Sequence, residues 1–197
     1  GLFGATGFLS KYLFAYLLLS IVILFVYLIY IKKIKKFNFK YLIIVEIFLV
    51  LLVPHIIWLY ENNFITLTYG LARTGLEGSD IISHIKFPLI FLLKQFGILL
   101  PLIFLSWLLK NKDRIRINFK DKRLIFLIFV NLLPLMLIFF TSLISGSKIR
   151  TMWLTPFYLF FGVLIVYVIK SQMNIKKLKI FFLSFLILFF LSPILYS

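Results

Sequence analysis

Six apolar runs, separated by short polar and charged stretches, set the pattern of this chain. They are Tyr12–Ile31, Tyr41–Tyr60, Pro88–Leu109, Leu124–Ser145, Met152–Ile169 and Ile180–Ser197. A helix needs about 20 mostly apolar residues to cross roughly 30 Å of hydrocarbon, and the runs approach or meet that length. They are continuous rather than alternating, which excludes a membrane β-barrel and predicts helices, whose backbone polar groups are satisfied internally. The expected fold is therefore all-α: one polytopic transmembrane domain over residues 1–197, with about six spanning helices.

The loops between the runs alternate in charge. Lys32, Lys33, Lys35, Lys36 and Lys40 occupy the first, and Lys110, Lys112, Arg114, Arg116, Lys120, Lys122 and Arg123 the third. Lys170, Lys176, Lys177 and Lys179 occupy the fifth. Basic loops are retained on the cytoplasmic side, so these are expected inside, and Gly1–Lys11, Glu61–Phe87 and Gly146–Thr151 outside. Trp58, Tyr60, Trp153 and Tyr158 then fall near the outer boundary, where amphipathic rings settle.

The long outer loop is expected to hold two short interfacial helices. Phe64, Leu67, Thr68 and Leu71 share one helical face, with Asn62 or Asn63 placed to cap it. Gly70, Gly75 and Gly78 then interrupt the chain, and Ser79 or Asp80 is placed to cap a second short helix through Ile85.

Composition agrees with the pattern. The chain is 63% hydrophobic with 25 Phe in 197 residues, more apolar surface than a soluble domain of this size can bury. The net charge of +16 sits in loop clusters, which argues against nucleic acid as a partner. No cysteine is present, and the two His and six acids are scattered, so neither a metal site nor a cofactor is expected. The chain opens on Gly, and Gly1–Ser10 lacks the basic start of a signal peptide. It reads as a piece of a longer protein with residues missing upstream.

Lys11, Arg73, Lys86, Lys94, Lys148 and Arg150 are not accounted for by the inner loops. Lys94 lies about two turns inside its run, where a cation is costly unless paired or facing a wet cavity. A lipid phosphate or pyrophosphate is the natural partner for such a set. Each residue also has a plainer reading. Lys11, Lys148 and Arg150 suit head-group snorkelling, and Trp58 and Trp153 suit belt anchors as well as sugar platforms. His55 is read either as a substrate contact or as a hydrogen-bonded packing histidine. Glu46 is structural, and Asn131 and Pro134 tune helix packing or a kink. Glu61 is the best placed of the outer acids. No Gly-rich phosphate loop, HExxH or GxSxG occurs.

Four stretches occur in a suggestive order. They are Gly1-Leu2-Phe3-Gly4…Gly7-Phe8-Leu9-Ser10-Lys11-Tyr12, then Pro54-His55-Ile56-Ile57-Trp58 with Asn62, Asn63 and Phe64, then Tyr69 to Arg73, and finally Lys148-Ile149-Arg150-Thr151-Met152-Trp153-Leu154-Thr155-Pro156. Together they resemble elements of the GT-C glycosyltransferases, in particular the bacterial protein-mannosyltransferase-like and aminoarabinose-transferase-like group. The resemblance implies an enzyme of the bacterial inner membrane. Its donor would be a polyprenyl-phosphate-linked sugar, and its acceptor a lipid, glycan or protein on the outer side. It further implies that Lys11, Arg73, Lys148 and Arg150 hold the carrier phosphate, and that His55, Trp58 and Asn62 line the acceptor or sugar cavity. Lys94 extends the phosphate set, and Glu61 and Trp153 extend the cavity. The family's catalytic acid lies in a first outer loop expected upstream of Gly1, so the chain alone is expected to be inactive. Two other readings stay open, a transporter or lipid flippase and a non-catalytic subunit of an envelope-assembly complex.

Overall fold

The structure, a computed structural model, describes residues 1–31, 38–75, 80–110, 117–170 and 173–196. The basic positions Lys32, Lys33, Lys35, Lys36, Lys112, Arg114 and Arg116, together with Glu77, Gly78 and Ser79, lie outside the described residues. Among the described residues the chain is helical, apart from one isolated bridge between Lys110 and Met173. The all-α expectation holds.

The order is α1 (Leu2–Ser10), α2 (Phe14–Tyr30), α3 (Leu42–Glu61), α4 (Ile65–Ala72), α5 (Ser83–Leu109), α6 (Lys122–Asn131), α7 (Leu133–Ser145), α8 (Phe161–Ile169) and α9 (Leu178–Tyr196). Short 3-10 turns lead into α3 and α9, and a longer 3-10 run covers Thr151–Tyr158. Three helical stretches are long and apolar enough to cross a membrane: Phe39–Glu61, Ser83–Leu109 and Lys122–Ser145. Phe14–Tyr30, Pro156–Ile169 and Leu178–Ile194 are apolar but shorter.

The core forms where α5 and α7 meet. Phe91 of α5, Ile138 of α7, and Leu154 and Phe157 of the 3-10 run are buried together, with Leu13, Tyr16 and Leu17 packed against them. A second cluster joins Leu124 and Leu127 of α6 to Leu164 of α8. Elsewhere the apolar surface faces outward. Of the 20 residues of α3, only Leu52 and Leu59 are buried, while Ile43, Val50, Ile56 and Ile57 stand exposed. Outward Ile, Val and Leu along a whole helix are favourable only where the surroundings are themselves apolar. The protein is membrane-associated.

Several expectations are corrected. The apolar run at Met152–Ile169 is not one helix. Pro156 lacks an amide hydrogen, the chain there adopts a 3-10 path through Tyr158, and α8 begins only at Phe161. The run at Leu124–Ser145 begins at Lys122 and breaks at Leu132 between α6 and α7. Pro134 sits in the first turn of α7, and Asn131 Nδ2 donates to the Leu127 carbonyl at 2.7 Å, so the expected disturbance at these two residues is present. Among the described residues the long loop holds no separate second short helix, because α5 itself reaches back to Ser83. Neither Asn62 nor Asn63 caps α4. Its N-cap is Phe64, in the left-handed region at φ 55°, with no side-chain bond. Gly70 lies inside α4, whereas Gly75 does turn the chain, at φ 67°.

The bundle has two distinct ends. At the lower end the Lys110–Met173 bridge, the Asn174 amide on the Leu109 carbonyl (3.1 Å) and Lys177 Nζ on the Lys110 carbonyl (2.8 Å) tie α5 to the start of α9. At the upper end the Lys148 amide bonds the Thr74 carbonyl (2.9 Å), and His84 Nδ1 meets the Leu143 carbonyl (2.9 Å). The Lys/Arg positions expected inside and those expected outside thus sort to opposite ends, as far as they are described.

Candidate functional site

Three adjoining clefts open at the upper end. Their walls come from the α1–α2 turn, α4, the end of α7 and the loop that follows it. Gly7 permits the first of these elements: the Phe14 ring lies 2.5 Å from where a Cβ would stand, so α1 folds back closely on α2. Lys11 follows in extended conformation, its amide bonding the Gly7 carbonyl at 3.1 Å. Lys11 and Tyr12 thereby face the clefts rather than continuing a helix.

The central cleft, of about 480 Å³, is lined by Lys11, Tyr12, Tyr16, Thr66, Thr141 and Trp153, among others. A neighbouring cleft of about 560 Å³ shares Lys11, Tyr12 and Thr66 and adds His55 and Trp58. A third, of about 540 Å³, shares Thr74 with the first and adds Tyr69, Arg73, Lys148 and Arg150. Of the ten residues expected to form the site, seven therefore line these connected spaces: Lys11, Arg73, Lys148, Arg150, His55, Trp58 and Trp153.

Local bonds fix the walls. The Tyr12 hydroxyl lies 2.8 Å from His55 Nε2 and 2.8 Å from Thr66 Oγ1, so one phenol joins the α1–α2 turn to α3 and α4. His55 also stacks on Trp58, with ring centroids 5.9 Å apart. It is thus a hydrogen-bonded packing histidine that also borders a cleft. The Tyr16 hydroxyl donates to Thr141 Oγ1 at 3.1 Å, joining α2 to α7. Gly146, left-handed at φ 65°, ends α7 with its amide on the Ser142 carbonyl. The Ser142 hydroxyl then donates to the Ser147 carbonyl at 2.7 Å, setting the direction in which Lys148 and Arg150 leave the helix.

The electrostatics are positive. Arg73 donates to the Tyr69 hydroxyl at 3.0 Å and its guanidinium lies 5.3 Å from that ring's centroid, which orients it while leaving it exposed. Lys148 and Arg150 are exposed. Partial burial lowers the Lys11 ammonium below the usual lysine range. Among the described residues that line the clefts there is no carboxylate. Among the described residues there is also no group of acids and histidines fit for a metal. The arrangement is suited to hold an anion beside aromatic and apolar walls.

The structure does not bring Lys94, Glu61 or Asn62 to these spaces. Lys94 is exposed on α5, while its neighbour Gln95, about 100° round the helix, is the buried one. Glu61 is the exposed last residue of α3. Asn62 Nδ2 donates to the Trp58 carbonyl at 2.8 Å, so its amide closes the end of α3. Tyr12, Tyr16, Thr66 and Thr141 were not anticipated as wall residues. Their signal was weak: hydroxyl groups within a few residues of the upper ends of apolar runs.

No family model, no curated protein and no solved structure matches the chain.

Proposed function

We propose that this chain is the membrane portion of a glycosyltransferase that takes a sugar from a polyprenyl-phosphate carrier in the bacterial inner membrane. In this reading the upper end faces outward and the six apolar segments cross the bilayer. The acceptor is a lipid, glycan or protein. One observation carries the proposal. Lys11, Arg73, Lys148 and Arg150 line connected clefts that also hold Trp58 and Trp153, in a chain whose outer surface is apolar. A cation near a membrane surface binds phosphate oxygens through charge-assisted bonds, and an aromatic face suits the apolar side of a sugar ring.

In the displacement the acceptor oxygen attacks the anomeric carbon, the carbon–oxygen bond to the carrier phosphate breaks, and the phosphate leaves with its electron pair. Lys11, Arg73, Lys148 and Arg150 would stabilise that departing charge. The acceptor's proton needs a base, and the described cleft residues offer no carboxylate for it. The family resemblance expects that base upstream of Gly1, so the same clefts also fit a second reading: a protein that binds the carrier lipid without transferring its sugar, as a flippase or assembly subunit does.

The experiment is a titration of purified protein in micelles with a polyprenyl phosphate, read by tryptophan fluorescence. Lys148→Glu with Arg150→Glu is expected to weaken binding by about tenfold or more, since each reversal removes a charge-assisted contact. Unchanged affinity in a helical, folded variant would remove both residues from the site. Transfer of a radiolabelled sugar, assayed with any sequence that precedes Gly1 included, then separates the two readings: binding with turnover supports the transferase, and binding alone the carrier.

A further inference from the structure

A fourth cavity, of about 640 Å³, lies at the lower end between α5, α6 and α8. Ile103 and Trp107 of α5, Leu124 and Ile128 of α6, and Leu164 and Val168 of α8 form its walls. Ser106 also lines it, but its hydroxyl is spent on the Leu102 carbonyl at 2.6 Å, so the interior is apolar. Lys110 is the one charged residue among the described lining residues, and it ends α5. From Ile103 to Lys110 the helix rises roughly 10 Å. The cavity therefore runs from a cation at the helix end into the depth of the apolar belt.

A second cation stands at the same point. Lys177 Nζ is 2.8 Å from the Lys110 carbonyl oxygen. No described carboxylate lines the cavity. Asp121, close by in sequence, is already engaged, accepting from the Tyr167 hydroxyl and from the Arg123 amide at 2.9 Å. A zwitterionic head group would bring its own cation to two ammonium groups that no carboxylate among the described residues meets, whereas a net-negative one completes them.

We infer that this cavity is a binding site for an anionic phospholipid, with one acyl chain between α5, α6 and α8 and the phosphate at Lys110 and Lys177. The inference stands independently of what the upper clefts hold.

Trp107 makes it measurable. With Trp58→Phe and Trp153→Phe, Trp107 is the sole indole of the chain. The protein is placed in phosphatidylcholine nanodiscs, and acyl-brominated phosphatidylglycerol or acyl-brominated phosphatidylcholine is added at matched mole fractions. Phosphatidylglycerol is expected to quench Trp107 at a several-fold lower mole fraction. Lys110→Gln and Lys177→Gln each reduce that preference, by roughly fivefold for a lysine at an anionic surface. Val168→Phe, which fills the cavity and leaves both lysines, is expected to reduce it as well. Thermal unfolding of each variant verifies the fold. Equal quenching by the two lipids overturns the site. So does a preference that survives the double lysine variant or is unaffected by Val168→Phe. Selective displacement by a polyprenyl phosphate, with no phosphatidylglycerol preference, assigns the cavity to another lipid and overturns it too.

Discussion

Tyr12 shows how much one side chain decides in a chain so poor in polar groups. Its hydroxyl is shared between His55 and Thr66, and the same residue lines two of the upper clefts. In apolar surroundings a polar group without a partner costs more than the bond itself contributes. Tyr12→Phe is therefore expected to destabilise the protein by about 1–3 kcal/mol, because it strands both partners. Thermal unfolding in detergent should show a lowered midpoint at unchanged helicity, and Thr66→Ala, which strands less, a smaller drop. Sequence reading reached His55 but not the phenol that holds it, since 43 residues separate the two and neither lies in a spacing pattern. Cations were easier to read: Lys11, Arg73, Lys148 and Arg150 violate the charge pattern of the loops, and all four do line the clefts. Lys94 violates it too, yet lies elsewhere. Depth along a helix can be counted from sequence, but the direction a residue faces depends on which neighbours pack there.

At the scale of elements, helix boundaries followed hydropathy in α2, which has no breaker, and in α3, which runs on through Pro54. They departed from it where proline interrupted the hydrogen-bond ladder, at Pro134 and Pro156. The extension of α5 back to Ser83 was hidden because the residues through Ile85 read as a separate short helix, while in the structure they run on into α5 and His84 reaches the Leu143 carbonyl. The start of α6 depends on one acid. Asp121 accepts from the Arg123 amide as N-cap and from the Tyr167 hydroxyl of α8, and Lys170 Nζ sits 3.6 Å from the Tyr167 ring centroid. The Tyr167 bond, then the Arg123 amide, hold its carboxyl below the usual aspartate range. A depressed carboxylate stabilises the fold above its unfolded pKa, and that stability is lost as pH falls through the folded value. Asp121→Asn keeps a capping oxygen but not the charge. It is expected to flatten the acid limb of the stability curve and leave its alkaline limb in place, as measured by thermal midpoints across pH. An unaltered acid limb would show that the α6–α8 contact owes nothing to the charge.

For the molecule as a whole, the outward-facing apolar side chains and the sorting of basic residues to two ends follow from the sequence pattern. The clefts do not, because they arise from a gap between α2, α4 and α7 whose size depends on tertiary packing. The proposed orientation can be tested cleanly, since the chain has no cysteine of its own. Lys148→Cys is expected to react with a membrane-impermeant maleimide on intact cells, and Lys176→Cys only after permeabilisation. The reverse pattern would invert the protein, and labelling of both from one side would rule out an odd number of crossings between them. The break at Leu132 has a consequence for both ends at once. Leu132 is a wall residue of the lower cavity, and α7, which starts beside it, carries Thr141 and Ser145 into the central upper cleft. The same helix pair thus supplies walls to both spaces, so a substitution that alters how α6 meets α7 is expected to be felt at both ends rather than at one.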